Sequence, residues 1–163
     1  MRRTADGNPA ARYIHRVNNG VWAITGAAVV LATTAGCSSD SDQEPLAPGA
    51  LQPGTASITV NDRQLDDITS VSCTAAGPLM TITTGTEQSG STSVVSNAEG
   101  LAAQSVYLRD LGGFTGSYNL ALGGDAEVEM TGNTYSITGS ADGFATDNPS
   151  FRTQGTFEIK AAC

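Results

Sequence analysis

Histidine and tryptophan are almost missing from this 163-residue chain: the one of each, His15 and Trp22, lies ahead of Cys37. A chain without histidine from residue 37 onward cannot assemble a Ser-His-Asp or Cys-His relay there, and it lacks the commonest zinc ligand. Basic residues are scarce too. Eight Lys and Arg stand against 16 Asp and Glu, and Arg2, Arg3, Arg12 and Arg16 all precede Cys37. From residue 37 onward, Arg63, Arg109, Arg152 and Lys160 face fifteen acids, a net charge of −11. No basic stripe remains to neutralise phosphates, which excludes nucleic acid as a partner. Also absent are a Gly-x-Ser-x-Gly elbow, a Cys-x-x-Cys pair and a phosphate-binding loop between strand and helix. No catalytic site and no enzymatic activity are expected. Nor is there an apolar run of the roughly 20 residues that a membrane-spanning helix needs.

What is present begins with an address. Four arginines precede an apolar stretch over residues 21–32, and small residues then lead to Ala35-Gly36-Cys37. A charged region, a short apolar core and small residues at a cut are the order of a secretory signal. The cysteine directly after the small residues is what lipoprotein processing requires. Cleavage is expected between Gly36 and Cys37, with S-diacylglycerol on the Cys37 sulfur and N-palmitoyl on its new amino group. The third residue before Cys37 is Thr34, where an aliphatic side chain is usual. Residues 1–36 therefore read as a lipoprotein signal peptide, and the protein as exported and lipid-anchored on the outer face of the cell membrane.

Residues 37–56 read as the acylated N-terminus and a disordered tether. Asp40, Asp42 and Glu44 lie among serines, and Pro45, Pro48 and Pro53 alternate with Gly49 and Gly54. Such a composition buries too little apolar surface to offset its ordering entropy. Residues 57–163 read as one domain, near the commonest domain size. Alternation of apolar and polar residues predicts short strands, among them 57–61, 68–73, 79–84, 92–96, 105–109, 117–122, 126–130, 135–139 and 156–160, with a short helical turn over 97–103. Gly112-Gly113, Gly123-Gly124 and Gly132-Asn133 mark turns between them. The expectation is an all-β fold, a small antiparallel β-sandwich or barrel-like domain. Its core draws on few rings: Phe114, Phe144, Phe151, Phe157, Tyr107, Tyr118 and Tyr135.

So thin a core gains from a covalent staple. With Cys37 committed to lipid, Cys73 and Cys163 remain in an oxidising compartment and are expected to form a disulfide. Closing a loop of about 91 residues stabilises a fold by roughly 4–5 kcal/mol on the chain-entropy model. Three groups of oxygen-bearing side chains are candidate cation sites: Asp125, Glu127 and Glu129 on one strand face, Asp62, Asp66 and Asp67 in a loop, and Asp142, Asp147 and Asn148 in another. Calcium needs six to eight converging oxygens, and none of the three carries a calcium-loop pattern, so no metal site and no cofactor are expected.

Several stretches together carry a family likeness: Ala35-Gly36-Cys37; Val71-Ser72-Cys73-Thr74-Ala75-Ala76-Gly77; Ser105-Val106-Tyr107-Leu108; Tyr135-Ser136-Ile137-Thr138-Gly139-Ser140-Ala141-Asp142-Gly143; and Phe157-Glu158-Ile159 with Cys163. In their order and spacing they resemble the mycobacterial 19 kDa lipoprotein antigen family. The resemblance implies a cell-envelope lipoprotein, partly surface exposed, whose acylated N-terminus is recognised by host lipopeptide receptors. It also implies glycosylation near the N-terminus, although the tether here holds few hydroxyls, and a role in ligand transport. Two readings follow. One is a non-enzymatic, membrane-anchored antigen-like domain. The other is a carrier that holds an apolar ligand inside the β-domain, which the small inward-facing side chains would allow only if they leave a cavity.

Overall fold

The computed structural model describes residues 45–163. Ten strands follow one another: β1 (Ala56–Val60), β2 (Arg63–Gln64), β3 (Val71–Ala76), β4 (Leu79–Gly85), β5 (Gly90–Ser96), β6 (Ala102–Leu111), β7 (Phe114–Asn119), β8 (Ala126–Thr131), β9 (Thr134–Ala145) and β10 (Asn148–Ala162). All pairings are antiparallel, in the order β2-β1-β10-β9-β7-β6-β5-β4-β3, with β8 lying against the first half of β9. The all-β expectation holds.

Two cross-strand rows explain why the sheet curls. Ile58, Ile159 and Ile137 stand opposite one another on β1, β10 and β9, each fully buried. Ile82, Ser93, Val106 and Tyr118 form the matching row across β4, β5, β6 and β7, none more than 4 % exposed. Apart from Ser93, the residues of both rows belong to one apolar cluster, so the two halves of the sheet face each other across a shared core. Burying one such isoleucine contributes about 1.5–3 kcal/mol. Hydrogen bonds between Ala56 and Ile68 add a bridge between β1 and the connector that leads to β3.

Phenylalanine bulk is accommodated by glycine. A Cβ placed on Gly116, Gly143 or Gly155 would stand 2.6, 2.9 or 2.8 Å from the ring of Phe114. Three neighbouring strands thus give up side chains to seat one ring. Phe157 lies over its cross-strand partner Gly139 in the same manner, a pairing in which an aromatic ring covers backbone that glycine leaves bare.

Turn chemistry sets the register. Asn61 and Asp62 both take positive φ between partners Val60 and Arg63, as a type I′ hairpin requires. Asn61 then bonds back to β10: its backbone N–H donates to the Thr156 carbonyl and its Oδ1 accepts from the Thr156 N–H, each at 3.0 Å.

The structure differs from the sequence reading in four places. The stretch 45–55, expected as disordered tether, forms two successive Pro-Gly turns. In the first, Ala50 N–H donates to the Ala47 carbonyl; in the second, Thr55 N–H donates to the Gln52 carbonyl; Gly49 and Gly54 both take positive φ. Proline at the second position and glycine at the third are what a type II turn selects. Leu51 N–H donates to Thr134 Oγ1 at 2.9 Å, and Gly54 N–H to the Ala162 carbonyl at 3.0 Å, so this strap is fastened to the domain. Residues 120–122 leave the strand and form a 3₁₀ turn, because Asn119 Oδ1 accepts the Ala121 N–H and caps it. No helix forms over 97–103, where Ala102 and Ala103 open β6 instead. Finally, two rings expected in the core face outward: β10 starts at Asn148 and its Phe151 is 70 % exposed, and Tyr107 on β6 is 44 % exposed.

Candidate functional site

The lipidation and cleavage residues, Gly36 and Cys37, lie outside the described residues. What the structure places is the far end of the tether. The strap enters β1 beside the end of β10, where Ala162 N–H donates to the Thr55 carbonyl. Cys163 N–H donates to the Asn133 carbonyl at 2.9 Å, which brings the β8–β9 turn to the same corner.

Cys73 and Cys163 are joined as expected, with their Cα atoms 5.8 Å apart. The bond has a topological role that spacing alone does not reveal. β3 is one end of the strand order and β10 is third from the other end, so the disulfide closes the curled sheet upon itself.

The acidic groups do not converge. Glu127 and Glu129 project from β8 with exposed side chains, opposite Thr138 and Ser136. Asp62 sits in the β1–β2 turn, while Asp66 and Asp67 belong to the exposed connector after β2. Asp142 faces Ser117 and Gln154 across the sheet, whereas Asp147 lies in the turn before Asn148. Among the described residues, no three His, Cys, Asp or Glu side chains gather as a metal site would need.

Buried polar side chains are few among the described residues: Thr84, Ser91, Ser93 and Thr134. The Thr84 and Ser91 hydroxyls share a buried hydrogen bond of 2.7 Å between β4 and β5. Ser93 Oγ is buried with no partner. On the outer surface of β6, the Arg109 guanidinium stacks 5.8 Å above the Tyr107 ring and donates from Nη2 to the Thr86 carbonyl.

Hollows open at the surface. One of about 430 Å³ lies between the β2–β3 connector and the turns at Gly85 and Gly112. A second, of about 350 Å³, lies under the strap near Leu46 and Leu51. A third, of about 250 Å³, sits on the outer face of β7, β9 and β10 and was not legible as a motif, because its residues come from three strands. Ser117, Asp142, Arg152 and Gln154 help line it. The inward face is occupied by the fully buried Ile58, Ile82, Leu108, Ile137 and Ile159 in one continuous cluster.

The fold and its staple define a disulfide-closed, all-antiparallel β-domain entered through an N-terminal strap. The family model described as Mycobacterium 19 kDa lipoprotein antigen matches residues 49–163, and the chain belongs to that family. It is 39 % identical over 112 residues to a provisionally named lipoprotein of Mycobacterium indicus pranii, covering 67 % of this chain and 78 % of the relative. A second provisionally named lipoprotein, from Mycobacterium avium subsp. hominissuis, is 34 % identical over 139 residues, 83 % of this chain and 91 % of that one. The lipoprotein LpqH of Mycobacterium tuberculosis is 31 % identical over 151 residues, 86 % of this chain and 95 % of its own length. The resemblance read from the sequence is thereby confirmed. Among the described residues, no helix is long and apolar enough to cross a membrane.

Proposed function

We propose that this protein is a non-enzymatic envelope lipoprotein, held on the outer face of the cell membrane by acylated Cys37 and displaying its β-domain outward. Residues 1–36 act as the signal and are removed. The three acyl chains of an N-palmitoyl, S-diacylglyceryl Cys37 give stable anchoring where a single chain would not. The observation that carries the reading is the match of residues 49–163 to a lipoprotein antigen family, on a chain whose residues 35–37 are Ala-Gly-Cys. The acylated terminus is also the group that host lipopeptide receptors would recognise, with the β-domain as the exposed antigen.

An interior filled by large, fully buried aliphatic residues supports a display domain over an apolar carrier, since empty apolar space in a core is costly. Palmitate labelling in the producing cell tests the anchor. The parent chain is expected to take up label and sediment with membranes, and Cys37→Ala to do neither. Equal labelling of the two would overturn the assignment. Reporter cells carrying a lipopeptide receptor are expected to respond to the parent and not to Cys37→Ala.

A further inference from the structure

The hollow on the outer face of β7, β9 and β10 is assembled by register. Ser117 stands opposite Asp142, and Asp142 opposite Gln154, so three polar side chains form one row across three adjacent strands. Directly opposed residues share a face, and neighbouring strands lie about 4.8 Å apart. Asn119 and Ser140 lie two residues farther along β7 and β9, hence on that same face. Arg152 comes from the irregular stretch of β10 between Asn148 and Thr153, where the ladder with β9 shifts register. The 3₁₀ turn and Gly123-Gly124 raise a wall at one side, and Leu122 on that wall is 88 % exposed.

We propose that this hollow is a binding subsite for a neutral, hydroxyl-rich ring, a single pyranose unit of a glycan. The charges select the class. Asp142 in the middle of the row, on a chain of net charge −11 from residue 37 onward, disfavours phosphate and other anions, while Arg152 disfavours a cation. Neither charge is already spent: the ion pair recorded among the described residues is Lys160–Glu158, elsewhere on β10. What remains is a ligand offering donors and acceptors together. A carboxylate accepts from two adjacent hydroxyls, while guanidinium and amide groups donate to ring and hydroxyl oxygens. Asn119 uses its Oδ1 to cap the turn, which leaves its amide N–H groups for a ligand. Leu122 supplies the apolar surface that the C–H face of a sugar ring needs. The volume of about 250 Å³ is below that of a drug-sized pocket and accommodates one ring, and a more open hollow of about 400 Å³ shares Asp142, Arg152 and Gln154 with it, where a neighbouring unit of the glycan would lie.

Saturation-transfer difference NMR on the full-length protein in detergent micelles tests this. The probes are the methyl pyranosides of glucose, galactose and mannose, with inorganic phosphate as the charged control. A small, exposed subsite predicts millimolar binding, so each is titrated to about 50 mM. At least one glycoside is expected to give transfer, reduced at least about fivefold in Asp142→Asn and in Arg152→Ala through loss of charge-assisted hydrogen bonds. Both side chains point outward, so the fold is kept, and Glu129→Gln on β8 is expected to behave as the parent. Transfer equal in parent and both variants would place the sugar elsewhere and overturn the proposal. So would silence from all three glycosides, or phosphate displacing the sugar.

Discussion

Ser93 stands in a row of otherwise apolar side chains, between Ile82 and Val106, with its hydroxyl buried and unbonded. An unsatisfied buried hydroxyl costs about 1–3 kcal/mol. Ser93→Ala is therefore expected to leave thermal stability unchanged or to raise it, by up to about 2 kcal/mol in denaturant unfolding. Phe114 is the opposite case. Its ring fills space that Gly116, Gly143 and Gly155 vacate, so Phe114→Ala leaves a cavity and is expected to cost about 3–5 kcal/mol. Phe114 and Phe157 were legible as core rings, and both are buried. Their glycine seats were not legible, because Gly143 and Gly155 become neighbours of Phe114 only through pairing. Phe151 looked equally apolar on paper yet faces solvent, and the bulged stretch at 148–153 that carries it has no period to read.

Elements were most legible where alternation was strict. β1 buries Ala56, Ile58 and Val60 and turns Ser57 and Thr59 outward, as its sequence reads. Averaged composition hides the strap, because a stretch rich in proline, glycine and acid has the signature of a disordered tether. Position by position, Pro48-Gly49 and Pro53-Gly54 are turn pairs, and their backbone groups are bonded to the domain. Gly54 takes a φ of +82°, which an L side chain adopts at a cost of about 1–2 kcal/mol. Gly54→Ala is accordingly expected to loosen the strap without unfolding the domain. Amide exchange should accelerate at Leu51 and at residue 54 while Ile58 and Ile159 stay protected. The hollow beside the 3₁₀ turn is hidden for a related reason: in sequence Asp142 stands near Asp147 and Asn148, whereas pairing gives it Ser117 and Gln154.

At the scale of the molecule, the Cys73–Cys163 bond and the acylation proposed at Cys37 define the architecture. The Cys73–Cys163 bond spans a sequence separation of 90 and closes the curled sheet, so the Cys73→Ser, Cys163→Ser double variant is expected to lose roughly 3–5 kcal/mol. Its unfolding should no longer respond to reductant, while the parent's should. A net charge of −11 from residue 37 onward favours solubility and repulsion from anionic headgroups, so the proposed anchor at Cys37 would be what holds the domain at the membrane. The central claim is that the three cysteines divide into one lipid attachment and one staple. Intact-mass and peptide mass spectrometry of the protein extracted from membranes, without and with reduction, tests it most directly. The predicted result is a chain that begins at Cys37 and carries diacylglycerol and acyl mass on that residue, with a Cys73–Cys163 linked peptide that separates only on reduction. A chain retaining residues 1–36, or an unmodified Cys37, would contradict it.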